Sequence, residues 1–253
     1  MHLFVSPHLD DAALSCGATI ASLARRDDEV VVLTIFAGGN GRRDLAPYAA
    51  RYHRKCGLAD FWTRRWEDVE ACACLGAGMV HLGFGEVLYR RDAAGRPRVN
   101  TRDDLFSPLT PEDHRVAADV AAELARWLRR LGPAVLYGPA GIGGHVDHVI
   151  TTTAIRRVLG HLGVEAPPLL LYEEMPYAAT PEDAALLATM ADTAEPVIQE
   201  VTARDWRMKI RAVEAYRSQL RSIWKERDWR AALDQHARDV SGGKVAERLW
   251  KPN

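Results

Sequence analysis

The feature that most constrains the fold is the order of apolar patterns in the first 36 residues. Leu3-Phe4-Val5-Ser6 is a short apolar run with the length of a buried strand. Ala12 to Arg26 follows, with Ala12, Ala13, Cys16, Ile20, Leu23 and Ala24 spaced to give a helix one apolar face. Glu29 to Phe36 then reads Glu-Val-Val-Val-Leu-Thr-Ile-Phe, a β-branched run suited to a parallel strand covered on both faces. A strand, a helix and a strand within about 35 residues form a βαβ unit whose crossover is expected to be right-handed. A layered α/β fold follows, and 253 residues are enough to bury a substantial core.

Further along, Tyr48 to Cys56 and Arg65 to Leu75 have helical patterns, the second closing at Gly76, and Met79 to Leu82 reads as a strand. Pro111 to Arg130 is expected to be a helix, Ala134 to Tyr137 a strand, His145 to Leu159 a helix and Leu169 to Tyr172 a strand. Two more helices, about Pro181–Ala191 and Asp205–Arg221, precede a polar tail ending in Glu247-Arg248-Leu249-Trp250. The loop Ala37 to Gly41 lacks G-x-G-x-x-G spacing and follows the second strand rather than the first, so a dinucleotide fingerprint is not supported. Gly83 to Pro111 is polar and irregular, and too long for a plain connection, so it is expected to form a pocket wall or lid. Without repeats, low-complexity tracts or linkers, one domain over residues 1–253 is the economical expectation.

A formal net charge of −1 gives no reason to expect nucleic acid or an anionic membrane as partner. No apolar stretch approaches the roughly 18–20 residues of a membrane span, and no signal peptide is visible, so a cytoplasmic protein is expected. Cys16, Cys56, Cys72 and Cys74 include no C-x-x-C pair and read as free thiols of a reducing compartment, not as a metal site.

Two clusters carry the chemistry. Ser6-Pro7-His8-Leu9-Asp10-Asp11 lies where the first strand gives way to a helix, and His145-Val146-Asp147-His148 lies at a second such junction. Ligands in open α/β sheets bind at the carboxyl ends of strands. A catalytic zinc takes three protein ligands from His and carboxylate and keeps a position for water. His8, Asp11 and His148 fill that requirement and leave Asp10 as general base. His145 could stabilise the oxyanion or protonate the leaving group, and Asp147 could orient an imidazole from behind. The structural alternative is that Asp10, Asp11 and Asp147 only cap helices.

These residues resemble the PIG-L/LmbE-like family of zinc-dependent N-acetylglucosaminyl deacetylases, marked by H-P-D-D near the N-terminus and a later H-x-D-H. Here the motifs read Pro7-His8-Leu9-Asp10-Asp11 and His145-Val146-Asp147-His148. The likeness continues at Arg64-Arg65-Trp66-Glu67-Asp68, Tyr172 to Tyr177, Tyr216 to Gln219 and Glu247 to Trp250. It implies a Rossmann-like three-layer sandwich with a mostly parallel sheet, Zn2+ on His8, Asp11 and His148, Asp10 as base and His145 facing the tetrahedral intermediate. It also implies an arginine and an acid holding substrate hydroxyls, here Arg64 and Glu86, with Arg65 competing for the arginine's place. Leu9 stands where the family has proline. Some members carry a tyrosine at the place of Gly143, so that contact is absent here or comes from elsewhere.

Other residues have plainer readings. Arg64 and Glu67 could be a solvated helical ion pair. Glu173 and Glu174 could line the site or form buried pairs with Arg or Lys. His53, His81, His114, His161 and His236 are assigned to packing or surface. Trp62, Trp66, Trp206, Trp224, Trp229 and Trp250 are mostly core or sheet-covering candidates, one or two of which could stack on a sugar.

The expected activity is removal of an N-acetyl group from an amino sugar or glycosylated small molecule. Two alternatives stand beside it: an amidase for a larger acyl or thiol-sugar conjugate, and a non-catalytic sugar- or nucleotide-binding module. No motif separates free N-acetylglucosamine from an antibiotic intermediate, a thiol-cofactor precursor or a lipid-linked sugar. Abundant Ala and Arg resemble a GC-rich bacterial genome and favour a biosynthetic setting.

Overall fold

The computed structural model describes residues 1–39, 45–56, 60–180, 184–225 and 227–253. The βαβ unit is present as β1 (His2–Ser6), α1 (Asp11–Ala24) and β2 (Val30–Thr34), with β1 parallel to β2 from the His2–Val30 pair to Ser6–Thr34. After α2 (Pro47–Cys56) and α3 (Phe61–Leu75), β3 (Gly78–His81) extends the sheet beyond β2. The chain then returns to the other edge of β1. There α4 (Pro111–Leu131), β4 (Val135–Pro139), α5 (Val146–Leu162) and β5 (Leu169–Tyr172) add two more parallel strands. The seven-stranded order is β3-β2-β1-β4-β5-β7-β6, where β6 (Ala194–Glu200) and β7 (Ala246–Pro252) form the antiparallel edge.

Alternation along β1 builds the layers. Leu3 and Val5 point into one core and Phe4 into the other, all fully buried. α4 and α5 cover the first face through Val120, Leu124, Ile150 and Ile155. α1, α3 and α7 (Ala203–Ala215) cover the second through Ile20, Ala71, Leu75 and Ala212. Burying each Leu, Ile, Val or Phe side chain contributes about 1.5–3 kcal/mol before entropy is counted. Local chemistry sets the ends: α4 starts at a Thr110–Asp113 capping box with Pro111 in its first turn and stops at Gly132, whose φ is 56°.

The structure corrects the sequence reading in four places. The stretch before Trp250 is no polar tail, because α9 (Trp229–Asp239) and β7 lie there, and Ala246, Glu247, Leu249 and Trp250 are buried. β6 also escaped notice; Pro196 interrupts its pattern, which an edge strand tolerates. The helix expected at 205–221 is two, α7 and α8 (Arg217–Trp224), broken at Tyr216 with ψ 49°. The corner is held from α3: Asp68 accepts the Tyr216 hydroxyl at 2.7 Å, and Glu67 accepts Ser218 N at 2.8 Å. Finally, Trp62 and Trp66 are 73% and 68% exposed on α3, not core. The helix expected at 181–191 is α6 (Ala184–Ala191), and residues 181–183, like Asn40 and Gly41 of the expected loop, lie outside the described residues.

α1 is itself broken at Cys16 (φ −130°, ψ 26°). Glu247 of β7 accepts the freed Ala18 and Thr19 amides at 3.1 and 2.7 Å, while Lys209 of α7 donates to Ser15 O at 3.0 Å and to Glu247 at 2.6 Å. The buried pair thus supplies partners for the backbone groups on either side of the break in α1.

Candidate active site

β1 and β4 are neighbours at the point where strand order reverses, so the turn after β1 and the loop after β4 open onto one crevice. In the first turn Ser6 does the capping: its Oγ accepts the Ala12 amide at 3.1 Å and donates to His8 O at 2.6 Å. Asp10 occupies the N-cap position but makes no side-chain cap bond, and Asp11 turns back to accept His8 N at 2.8 Å. At α5 the cap is His145, whose Nδ1 accepts the Asp147 amide at 3.3 Å. The carboxylates of Asp10, Asp11 and Asp147 are therefore not helix caps.

Asp11 Oδ2 lies 3.1 Å from His8 Nδ1 and 3.2 Å from His148 Nε2. The outer nitrogen of each imidazole meets a buried carboxylate: His8 Nε2 is 3.1 Å from Asp147 Oδ2, and His148 Nδ1 is 3.2 Å from Glu174 Oε1. Glu174 is fixed in turn by the Ala140, Gly141 and Ile142 amides. Converging donors backed by carboxylates are the arrangement of a metal site. His145 completes the group, since ligand atoms of His8, His145 and His148 lie within 4.8 Å of one another.

The electrostatics follow from crowding charge where water is scarce. Burial disfavours ionisation of Asp11, yet His148 and His8 hold its carboxyl well below the usual range. Burial also opposes charge on His148, but Asp11 and Glu174 raise it to about 9, and His8 is likewise raised by Asp11. A divalent cation bound here would displace those shared protons. Asp10 goes the other way: burial and the Asp11 charge push it up to about 7, tempered by Arg64. His145 is lowered to about 3 by burial and by His8.

Arg64 is the arginine that enters the site. It is 5% exposed, donates to Glu86 Oε1 at 2.5 Å, and sits near enough to Asp10 to lower its pKa. Arg65 points out, donating to Ala37 O at 2.8 Å with its guanidinium 5.9 Å from the Trp62 ring. A solvated Arg64–Glu67 pair is not formed, since Glu67 holds Ser218 instead. Glu174 backs the site, whereas Glu173 faces β7 and pairs with Arg248, His236 and Trp250. His81 bonds Asp68 and His53 bonds Tyr89, both in packing roles.

Two site residues carried no usable sequence signal, and a third, Tyr177, entered only as the end of a stretch that resembles the family. Arg90 pairs with Asp147 Oδ1 at 2.8 Å. Phe106 stands edge-on to His145 at 5.6 Å, and Tyr177 edge-on to His148 at 5.7 Å. Arg90, Glu86 and Phe106 all come from the irregular segment after β3, which is thus a pocket wall. Tyr177 also explains Gly143: with φ 78°, a Cβ there would lie 2.4 Å from the Tyr177 ring.

Residues 3–159, which include both clusters, match the family described as PIG-L, GlcNAc-PI de-N-acetylase. The chain belongs to this family. The 2'-N-acetylparomamine deacetylase of Streptomyces fradiae is 28% identical over 266 residues, spanning 99% of this chain and 89% of that protein. A deacetylase of the teicoplanin biosynthesis pathway superposes with a TM-score of 0.86 at 29% identity, over 98% of this chain and 96% of its own. A zinc-inhibited form of teicoplanin deacetylase superposes equally well, with the same identity and the same coverage of both chains. The likeness therefore extends past the matched residues to the antiparallel edge. Among the described residues, no helix is long and apolar enough to cross a membrane.

Proposed function

We propose that this chain is a zinc-dependent hydrolase that removes the N-acetyl group from an N-acetylated amino sugar or a glycosylated small-molecule intermediate. The observation that carries the proposal is Asp11 Oδ2 between His8 Nδ1 and His148 Nε2, with Asp10 uncommitted beside them. His8, Asp11 and His148 would hold the metal, which supplies carbonyl polarisation and an acidified water when bound. Asp10, raised to about 7, takes the proton from the attacking water and carries it to the departing amine. His145 accepts the Asp147 amide at Nδ1, so Nε2 bears its hydrogen, and a pKa of about 3 keeps the ring neutral. It therefore donates a hydrogen bond to the developing oxyanion and is not the proton source. Asp147 holds the His8 ring. Arg64 and Glu86, side by side, would bind substrate hydroxyls as donor and acceptor.

The names of the relatives support an amino-sugar acceptor of the aminoglycoside or glycopeptide kind. Phe106 and Tyr177 crowd the imidazoles, which favours a short acyl group over the larger-acyl alternative. The binding-module alternative loses support because its carboxylates do not cap the helices. Cys16 and Cys72 as buried free thiols fit a reducing cytoplasm. The test compares N-acetyl, N-butyryl and N-octanoyl forms of paromamine and of a glucosamine glycoside. Release of acetate with kcat/KM at least about tenfold above the longer acyl groups is expected. Preference for octanoyl, or no hydrolysis of any form by zinc-loaded protein, would overturn it.

A further inference from the structure

We propose that Arg90 is a positioning residue of the metal centre, acting through Asp147 to fix the orientation of His8. The proposal rests on the metal reading above. Asp147 has no exposed surface: Oδ2 accepts from His8 Nε2 at 3.1 Å and from Val87 N at 2.9 Å, while Oδ1 makes no hydrogen bond and has the Arg90 Nη1 cation 2.8 Å away as its ion-pair partner. A carboxylate oxygen only accepts, so His8 Nε2 is the donor to Asp147, and Nδ1, on the Asp11 side, is the nitrogen that would give up its proton to a metal. Two of the three anchors on Asp147, Val87 N and Arg90, come from the wall segment and not from either sequence cluster.

Arg90 is itself tied down at its far end. Its Nη2 lies 3.3 Å from Asp113 Oδ1, and its guanidinium sits 5.4 Å from the Phe36 ring, which in turn is 6.1 Å from His8. Asp113 is immobilised by its capping box with Thr110 and by Arg98 Nε at 2.9 Å. An unbroken line of contacts therefore runs from the first turn of α4 through Arg90 and Asp147 to His8. Arg90 is committed to two carboxylates, which separates it from the substrate-binding role proposed for Arg64. Removing it leaves Oδ1 of a fully buried carboxylate without its cation, and the carboxylate plane is then held only from the Oδ2 side.

The test measures zinc affinity by chelator competition for the full chain and for Arg90→Met, Arg90→Lys, His8→Ala and the His8→Ala/Arg90→Met double variant. Circular dichroism of the metal-free forms checks that each is folded. The expected results are a roughly 10- to 100-fold weaker affinity in Arg90→Met and recovery of most of that loss in Arg90→Lys. Once His8 is gone, Arg90→Met should change affinity by less than about threefold, because the two residues act as one unit. Wild-type affinity in Arg90→Met, or the same loss with and without His8, overturns this inference while leaving the metal centre standing. If the unaltered protein binds no zinc, the inference and the proposed function fall together. If Arg90→Met does not fold, Arg90→Gln takes its place under the same criteria: a loss of affinity that disappears in the His8→Ala background supports the line of contacts, and unchanged affinity or a loss independent of His8 overturns it.

Discussion

Asp10 and Asp11 are adjacent in sequence and opposite in chemistry. Asp11 is locked between two imidazoles, whereas Asp10 is buried beside it without a cap bond and raised to about 7. Asp10→Asn should keep its zinc and lose turnover by about 10²–10⁴-fold. A base must be ionised to act, and a bound dication lowers its pKa. So kcat/KM should rise with pH through a limb at or below about pH 7 that vanishes in Asp10→Asn. The same shift acts on stability with a definite sign: a carboxyl raised in the fold favours the protonated folded state, so metal-free protein loses stability as pH rises from about 4 to about 7. Metal-free Asp10→Asn should therefore be about 1–3 kcal/mol more stable than wild type at pH 8, measured by denaturant titration. Arg64→Ala should raise KM at least about tenfold and Arg65→Ala should change it less than about threefold, since only Arg64 turns inward. At this scale the sequence was most legible where ligand types stand at fixed spacing, as in His8-x-Asp10-Asp11 and His145-x-Asp147-His148. Arg90 and Phe106 were not, because an arginine or an aromatic ring in a long loop looks the same whether it meets solvent or a side chain far along the sequence, as Arg90 meets Asp147, and Tyr177 entered only as the end of a family-like stretch.

Among the elements, strands and helices with clean apolar periods were readable, and those whose charges are satisfied internally were not. Glu247 and Arg248 look like surface residues of a tail, yet Glu247 is buried because α1 breaks at Cys16 and needs an acceptor for its amides. Asp68 and Glu67 likewise look like the outer face of a helix, but they hold the α7–α8 corner. The buried Lys209–Glu247 pair gives the element-scale prediction. Lys209→Met leaves Glu247 buried without its cation and should cost about 3–5 kcal/mol of stability in denaturant titration. Zinc affinity at pH 8 should change less than about threefold in the folded variant, because neither residue touches His8, Asp11 or His148.

For the whole molecule, the decisive fact is topological. β1 and β4 are far apart in the chain and adjacent in the sheet, which brings Pro7–Asp11 and the 140–148 loop to one crevice. The sequence carried this through its strand-then-cluster order, repeated twice, while the antiparallel edge that completes the sheet stayed hidden. Metal should bind this assembly at the expense of protons. His148, raised to about 9, must give up its proton, so zinc affinity should weaken as pH falls and binding should release protons, measurable as a buffer-dependent heat. The folded chain should also gain about 4 kcal/mol when free zinc stands at a thousand times its Kd, seen as a higher Tm.

The most direct measurement is acetate release from N-acetylparomamine by untagged protein as zinc is titrated from zero, for wild type and His148→Ala. A rate that rises with the first equivalent of zinc, and stays near background in His148→Ala, is expected if His8, Asp11 and His148 form the working centre. Full activity in chelator-stripped protein, or an undiminished rate in His148→Ala, would contradict a metal-dependent deacetylase built on these residues.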